Sequence, residues 1–359
     1  MPTIHGTRSP FSAHAAFGAS LSGWLRVLLK HGGTIGATYI PRVLVITGMI
    51  VLNAPVRWLE RLRFGRRISK AVVKAPVFIL GHPRSGTTHL HYVMSRDPQF
   101  AFASVYESLM PWTFLGMGRF LRNVLDKALP ATRPMDNVKM TADAPKEEEF
   151  ALACMGNGSL VTGYFFPRDL GRVFNDAVLL NDAKSKRQWQ LHLHYFMRKL
   201  TVKYPGRSLL MKSPANTARV KEILELFPDA RFIFIHRDPL TVYASNLRLY
   251  QKILPQQALH SLTHKEIEDF VLASYRLMMA KYHRDKSLMP AGRLVEFSYE
   301  EFVGNELAVL EKTYNQLGLS GFATARPLME QEIGANDDYR TNTYALSEEE
   351  KQRVLAAWA

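Results

Sequence analysis

The chain has 359 residues, 47% hydrophobic and 22% charged, a globular composition that argues against extensive disorder. Lys and Arg total 46 against 32 Asp and Glu, and the resulting net charge of +14 favours nucleic acid, an anionic membrane surface or anionic small molecules as partners. Cys154 is the only cysteine, which excludes an intramolecular disulfide framework and is compatible with the cytoplasm.

Residues 1 to about 70 are predicted to form a basic, helical N-terminal region without a convincing signal peptide. The most apolar segment, residues 43–56, is shorter than the roughly 20 residues of a secure membrane span. Arg42 precedes it and several arginines follow it. Two interpretations stay open: a buried core helix, or a segment on a membrane surface, which would make a cytoplasmic protein peripheral at the membrane.

Four short apolar runs predict buried strands, and helical patterns separate them. The runs are residues 77–80, 208–211, 231–235 and 293–297. Alternating strands and helices indicate an α/β fold with a P-loop-type parallel sheet flanked by helices over residues 71–359. The segment from about 110 to 205 is predicted to be a helical insertion that covers the site and shapes an acceptor pocket.

The first predicted strand is followed by Gly81-His82-Pro83-Arg84-Ser85-Gly86-Thr87-Thr88 and then by a helix. A glycine turn between a strand and a helix start directs backbone N–H groups and the helix dipole at one point, which favours an anion. The spacing matches the P-loop pattern, except that Thr87 occupies the lysine position. The missing lysine argues against hydrolysis of ATP or GTP, and Arg84 can supply charge instead.

A second candidate anion site follows the third predicted strand. Arg237 ends this strand and Ser245 lies two turns into the next helix, so both side chains can converge on one phosphate. His236-Arg237-Asp238 matches the first residues of the kinase catalytic loop, but Ala244 stands where that loop has asparagine. The kinase interpretation of this motif is therefore rejected.

Together the two motifs resemble the phosphate-binding motifs of sulfotransferases that use 3′-phosphoadenosine 5′-phosphosulfate (PAPS), and the resemblance covers roughly residues 74–345. It implies PAPS as the co-substrate, with Arg237 and Ser245 on its 3′-phosphate and Tyr299 near its adenine. Asp338-Tyr339-Arg340 is similar to a segment that folds over the nucleotide, so Arg340 is a weaker candidate contact. The 5′-phosphosulfate would bind residues of the loop: Pro83, Arg84, Ser85, Gly86, Thr87 and Thr88.

The same resemblance guides the choice of catalytic base. Pro214 stands where the cytosolic enzymes of the family carry their basic histidine, so the base must come from elsewhere. The tyrosylprotein branch and many bacterial relatives use a glutamate soon after the first helix, which makes Glu107 the predicted base. His82, His89 and His91 are the competing candidates. Lys212 and Arg84 are predicted to stabilise the charge on the transferring and leaving groups.

The remaining observations bear on the acceptor and on rival functions. The acids at 147–149 are predicted to form a solvated helix start, and no residue cluster has metal-ligand spacing, so no metal is expected. Two rivals remain: a nucleotide or small-molecule kinase, and a non-catalytic nucleotide-binding protein. Nucleic-acid binding ranks last because no recognised module is present. The resemblance implies transfer of a sulfuryl group to an acceptor hydroxyl or amine. A lipid or hydrophobic alcohol is suggested as acceptor by aromatic residues of the insertion: Trp112, Phe114, Phe120, Tyr164, Phe165 and Phe166.

Overall fold

The structure is a computed structural model that describes residues 3–7, 9, 14–128, 141–156, 158–335 and 346–358. The predicted contact Arg340 lies outside these residues. The strands are β1 (Thr3–Ile4), β2 (Val77–Leu80), β3 (Phe100–Ala101), β4 (Ser208–Lys212), β5 (Arg231–His236), β6 (Leu262–Thr263) and β7 (Leu294–Ser298).

The α-helices surround the strands on both sides of the sheet. They are α1 (Leu21–His31), α2 (Ile40–Leu52), α3 (Ala54–Lys70), α4 (Thr87–Met94), α5 (Val105–Leu109), α6 (Gly118–Ala128), α7 (Glu149–Met155), α8 (Val161–Phe165), α9 (Leu170–Val173), α10 (Ala183–Lys203), α11 (Val220–Leu226), α12 (Pro239–Gln257), α13 (His264–Asp285), α14 (Tyr299–Phe302), α15 (Glu306–Leu317), α16 (Phe322–Gly334) and α17 (Glu348–Trp358). Short 3₁₀ segments cover Ala15–Gly18, Gly32–Thr34, Ala37–Tyr39, Pro167–Asp169, Pro214–Ala218 and Lys286–Leu288, and a π-helical turn covers Phe174–Val178.

The central sheet is parallel and has the order β3-β4-β2-β5-β7 in the part of the chain that the structure describes. Every residue of β2 is buried, as expected for a strand that helices cover on both faces. After β2 the chain forms β3 and β4 on one side of it and then crosses to β5 on the other side. In such sheets ligands bind at the carboxyl ends of the strands where the order reverses. The predicted α/β fold and its four predicted strands are confirmed, whereas the two-residue edge strand β3 was not predicted.

The N-terminal helices pack on the sheet domain rather than standing apart from it. Trp24, Ile46 and Ile50 are almost fully buried and belong to the same hydrophobic cluster as Cys154 and Phe165 of the insertion. The longest helix of residues 110–205 is α10, whose buried face includes Trp189 and Phe196. The described part of residues 110–205 contains helices and no named strand.

The carboxyl end of α12 is bound by residues from the start of the chain. The backbone N–H of Thr7 donates to the Pro255 carbonyl at 2.6 Å, and the Arg42 guanidinium donates to the carbonyls of Thr7 and Gln256 at 3.1 and 2.5 Å. His14 Nε2 lies 3.0 Å from the Gln257 carbonyl. These contacts satisfy carbonyls that a helix end would otherwise leave without partners.

Candidate active site

The phosphate loop, defined here as residues 81–88, connects β2 to α4 through an unusual backbone. Gly81 and Gly86 have φ of 149° and 99°, which residues with a side chain rarely adopt. A Cβ atom at Gly86 would also collide with the Tyr299 ring. The Gly81 N–H donates to Thr217 Oγ1 at 2.8 Å, which fixes the loop start. The loop therefore opens α4 with its N–H groups gathered at the end of β2.

Hydrogen bonds join the phosphate loop to the start of α12. Arg84 has a φ of 75°, and its Nε donates to Ser245 Oγ at 2.8 Å. Asn246 Nδ2 donates to the Pro83 carbonyl at 2.9 Å. The two sequence motifs predicted to bind separate phosphates thus lie side by side. Arg84 lies with Ser245 rather than with Lys212, which places its guanidinium among the predicted 3′-phosphate residues.

Arg237 is held against the loop by an aromatic ring. Its guanidinium carbon lies 4.1 Å from the centroid of the Tyr299 ring, and that ring packs on Gly86. Glu300 Oε1 lies 4.0 Å from Arg237 Nε, at the limit of an ion pair. Tyr299 therefore supports the arginine and packs on the phosphate loop, and its contact with adenine stays a prediction.

Several polar atoms here are suited to a phosphate-bearing ligand. Ser85 Oγ and Arg237 Nε are buried and have no hydrogen-bond partner among the described residues. A buried polar group without a partner costs free energy, and phosphate oxygens can satisfy both groups. Together with the N–H groups at the start of α4, these atoms fit an anionic nucleotide with two separate phosphate positions.

Lys212 ends β4 next to the phosphate loop. Only 3% of the residue is exposed, and its Nζ lies 2.7 Å from Glu147 Oε1 and 3.4 Å from Thr88 Oγ1. One cation thus touches both the loop and a carboxylate. A fixed cation and a carboxylate beside a phosphate loop can stabilise charge and accept a proton during group transfer.

The acidic segment, defined as Glu147, Glu148 and Glu149, reaches this position through a short antiparallel contact. The Lys146 N–H donates to the Ala103 carbonyl at 2.8 Å, and the Val105 N–H donates to the Ala144 carbonyl at 2.9 Å. An isolated bridge pairs Ser104 with Pro145. Because Ala103 follows the edge strand β3, these bonds draw the segment towards the end of the neighbouring β4.

The prediction that residues 147–149 form a solvated helix start is wrong for two of the three. Glu149 is buried and accepts from both terminal nitrogens of the Arg219 guanidinium at 2.8 and 3.0 Å. Glu148 is fully buried and accepts from Asn216 Nδ2 at 2.6 Å. Burial raises the pKa of Glu148 to about 7. Glu147 has 28% of its side chain exposed, so it is the member of the segment that a second substrate can reach.

Glu107 occupies a different environment from the one predicted for a base. Its side chain is 0% exposed, and Oε2 accepts from the Ser104 N–H at 2.7 Å within a capping box of α5. Oε1 pairs with Lys203 and accepts from the Tyr204 hydroxyl at 2.8 Å. Both oxygens are engaged and none of these partners belongs to the phosphate loop. The geometry supports a structural role for Glu107, and its catalytic role stays a prediction.

The competing histidines are also poor candidates for the base. Burial lowers the pKa of His82 to about 3, and its Nδ1 lies 3.1 Å from the Pro83 carbonyl. The pKa of His91 is lowered well below its usual value by burial and by the charge of Lys212. His89 Nε2 lies 3.0 Å from Glu306 Oε1 and is thereby held on α15.

Glu147, which contacts Lys212, was not predicted as a site residue. A usable signal was present, because the acidic run opens the short helix Glu149–Met155, whose other residues are almost all apolar. Such a helix start is expected to be buried rather than solvated.

The aromatic residues of the insertion include Phe114, Phe165 and Phe166, which are at most 1% exposed and belong to the core. Across the residues that the structure describes, no group of three or more His, Cys, Asp or Glu side chains could hold a metal ion.

Comparison with known proteins identifies the class of this site. A family model described as "Sulfotransferase family" matches residues 76–323, which include the phosphate loop, Lys212, Arg237 and Tyr299. The chain belongs to the sulfotransferase family. The family predicted from the two phosphate motifs is confirmed, and the protein is a sulfotransferase rather than a kinase.

Two curated relatives extend the similarity over nearly the whole enzyme. Both are named omega-hydroxy-beta-dihydromenaquinone-9 sulfotransferase Stf3, from Mycobacterium bovis and Mycobacterium tuberculosis. Each is 28% identical to this sulfotransferase over 343 residues, which cover 95% of this chain and 88% of the relative.

Solved structures show the same fold. Sulfotransferase STF9 from Mycobacterium avium superposes with a TM-score of 0.71 at 18% identity, over 95% of this chain and 96% of that one. Sulfotransferase STF1 from Mycobacterium tuberculosis gives a TM-score of 0.67 at 14% identity, over 94% and 92% of the two chains. The α/β fold of this sulfotransferase is therefore a known sulfotransferase architecture.

Proposed function

We propose that this sulfotransferase moves a sulfuryl group from PAPS to the hydroxyl of a lipid-like alcohol, with Glu147 as the base and Lys212 as the stabilising cation. The observation that carries the proposal is the 2.7 Å contact between Lys212 Nζ and Glu147 Oε1, with Thr88 of the phosphate loop 3.4 Å from the same nitrogen. Glu107 and the three histidines lack such a placement.

The phosphate loop binds the 5′ end of PAPS. Its 3′-phosphate is bound by Arg237, Ser245 and Arg84. Ser85 Oγ and Arg237 Nε are the buried atoms that phosphate oxygens would satisfy. The pairing of Arg84 with Ser245 supports assigning Arg84 to binding rather than to the catalytic role predicted from sequence.

The chemical half follows from the positions of Glu147 and Lys212. Bound PAPS supplies the sulfuryl group. Glu147 accepts the proton of the acceptor hydroxyl as that oxygen bonds to sulfur and the bond from sulfur to the bridging oxygen breaks. Lys212 and the N–H groups at the start of α4 stabilise the negative charge that remains on the 5′-phosphate. In-line positioning and charge stabilisation by fixed groups are the main sources of rate enhancement in such transfers.

The lipid-like acceptor is proposed from two observations. The relatives that match 95% of this chain are named for a hydroxylated menaquinone derivative. The partly exposed Glu147 also lies two residues before α7, an apolar helix that runs towards the N-terminal region. The acceptor class proposed is an apolar molecule with a terminal hydroxyl group.

The test combines product formation with substitutions. Purified enzyme is incubated with labelled PAPS and a lipid extract, and labelled products are identified by mass spectrometry; products confined to water-soluble metabolites would contradict the lipid acceptor. Glu147→Gln should lower turnover by about 10²-fold or more, the usual scale for a lost general base, with little change in binding of 3′-phosphoadenosine 5′-phosphate (PAP). The exposed Glu330→Gln is the matched control.

A second comparison separates the two candidate bases. Glu107→Gln should destabilise the fold, because Lys203 and the α5 cap lose an ionised partner, but turnover per folded molecule should stay near the parent value. Loss of turnover by about 10²-fold in Glu107→Gln together with full turnover in Glu147→Gln would identify Glu107 as the base.

Calorimetry should also find much tighter binding of PAP than of ATP, and equal affinities would contradict the two phosphate positions.

A further inference from the structure

The outward side of α2 and α3 exposes large apolar side chains. Leu44, Leu52, Trp58 and Leu62 are each 62–72% exposed, and Ile40 and Leu59 are at least half exposed. We call these six residues the apolar face. Large contiguous apolar surface is uncommon on soluble monomers and marks a site that contacts another molecule or a membrane.

The opposite side of the same helices is fixed to the body of the enzyme. Arg42, Ile46 and Ile50 are buried one turn apart on α2, and the Trp24 indole donates to Thr47 Oγ1 at 2.9 Å. On α3, the buried Glu60 forms an ion pair with Lys199 of α10. Each helix therefore has one face in the protein core and the other directed outwards, as a surface-bound amphipathic helix requires.

These contacts oppose a transmembrane arrangement. The helical run Ala37–Lys70 could cross a membrane by length and composition alone. Within this run α2 has 13 residues and is about 20 Å long, shorter than the roughly 30 Å hydrocarbon core, and α3 continues it with charged residues from Arg57 onwards. Arg42, which is 0% exposed and bonded to backbone carbonyls, ties α2 to the protein.

The positive charge of the N-terminal region favours an anionic partner. Residues 1–70 contain ten Lys and Arg but a single acid, Glu60, so they contribute +9 of the net charge of +14. Glu60 is buried with Lys199, which leaves the exposed cations of α3 without a neighbouring acid on that helix. Four of these cations, Arg61, Arg63, Arg66 and Arg67, lie on α3 at and after the last residues of the apolar face. A second copy of the chain would bring like charges together, whereas an anionic bilayer offers both apolar depth and negative charge.

We infer that the apolar face and the arginines of α3 dock the enzyme on an anionic lipid bilayer, with α2 and α3 lying in the interface and not spanning it. Burial of apolar side chains provides depth, and each exposed cation near the surface adds about 1 kcal/mol. The inference rests on the surface itself and does not depend on the proposed acceptor.

The short helix α7 runs from the acidic segment to the start of α1 in the N-terminal region. At its start, Glu149 accepts from the Arg219 guanidinium; at its end, the Ser20 N–H donates to the Cys154 carbonyl at 3.2 Å. Seven residues of helix span about 10 Å, so the acidic segment and the N-terminal region are separated by one short helix.

The test is co-sedimentation of the full-length enzyme with vesicles of phosphatidylcholine, with or without phosphatidylglycerol. Binding is expected only with phosphatidylglycerol, and it should weaken about tenfold or more when the salt concentration is raised past the point where surface charges are screened. Replacement of Arg61, Arg63, Arg66 and Arg67 by Gln should produce a similar loss. Equal binding to both vesicle types, or no binding to either, would overturn the inference.

The apolar contribution is tested with matched triple variants. Leu44→Ser, Trp58→Ser and Leu62→Ser together should abolish vesicle binding, whereas Leu191→Ser, Leu288→Ser and Leu328→Ser, which are also exposed, should leave it unchanged. Resistance of the bound enzyme to alkaline carbonate extraction would indicate a span and refute interfacial docking. A dimer in analytical ultracentrifugation that dissociates only in the first variant would refute it in favour of self-association.

PAP binding and transfer to a detergent-solubilised acceptor are measured on every variant. A variant that loses vesicle binding but keeps PAP binding and transfer activity tests the membrane inference alone. Failure of transfer in the parent enzyme, with vesicle binding intact, would count against the proposed function and leave the membrane inference standing.

Discussion

The nucleotide side of the site and its acidic side are built in different ways. The phosphate loop lies on one contiguous stretch, and its shape depends on backbone conformations at Gly81, Arg84 and Gly86. The acidic segment comes from the insertion and is held by side chains that follow β4, above all Arg219. One side is a local structure that a strand and a helix impose, whereas the other is an assembly of distant segments.

Because the two sides are built separately, a substitution can disrupt one side and leave the other intact. Substitutions on the nucleotide side should remove contacts with PAPS and leave the core intact. Substitutions on the acidic side remove either a proposed reacting group, Lys212 or Glu147, or a buried ion pair, that of Glu149. Substitutions should therefore divide into effects on binding, on turnover and on stability.

The largest expected effect is on stability. Glu149→Ala leaves the fully buried Arg219 guanidinium without its carboxylate, and breaking a buried pair in this way costs about 3–5 kcal/mol. Urea unfolding measures the loss. The matched control is Glu225→Ala, whose partially exposed pair with Lys186 should contribute less than about 1 kcal/mol. A similar small cost for both variants would show that the acidic side does not depend on this ion pair.

The next effect is on turnover. Lys212→Ala should lower the rate of sulfuryl transfer by about 10²-fold or more, because a fixed cation beside the leaving group is lost. PAP affinity should change little, since Arg237 and the phosphate loop remain. The exposed Lys221→Ala serves as control. If Lys212→Ala weakens PAP binding as much as it lowers turnover, the lysine belongs to the nucleotide side instead.

A binding effect is expected at Arg237. Arg237→Ala should weaken PAP binding by about 1.5–3 kcal/mol, the range for a lost charge-assisted contact. Isothermal titration calorimetry provides the measurement, with the exposed Arg187→Ala as the control. Unchanged PAP affinity would remove Arg237 from the phosphate-binding residues.

The smallest effect is a pH dependence from Glu148. Burial raises its pKa to about 7, so between its ordinary value of 4.5 and about 7 the folded protein binds more protons than the unfolded chain. Its contribution to stability is present below the lower value and is lost as the pH rises through about 7. Glu148→Gln should therefore lose less stability than the parent, by about 2 kcal/mol, between about pH 5 and about pH 8.5. Parallel stability curves for the two proteins would contradict this.

The nucleotide side could be predicted from sequence because its determinants are adjacent in the chain. The strand at 77–80, Gly81 and Gly86 together specify a loop geometry, and Arg237 and Ser245 lie at a fixed separation on the next strand and helix. The assignment to a family followed from this local pattern, and the parallel sheet followed from alternating strands and helices.

The acidic side could not be predicted in the same way. Glu147 reaches Lys212 only because residues 144–146 pair with residues 103–105, and no local pattern specifies such pairing. Glu107 had a favourable position in the chain, but its capping box and its pair with Lys203 depend on how α5 meets the end of α10. Sequence position alone cannot distinguish a reactive carboxylate from one that caps a helix.

Helix α12 connects the phosphate loop to the N-terminal region. Ser245, near its start, lies at the phosphate loop, and the carbonyls of Pro255, Gln256 and Gln257, at its far end, are capped by residues from the start of the chain. Removal of the first seventy residues would expose those carbonyls and loosen the helix from its far end. A shortened enzyme designed for solubility would thus lose nucleotide affinity as well as any lipid contact, because the same segment that faces outwards also braces the helix that carries Ser245.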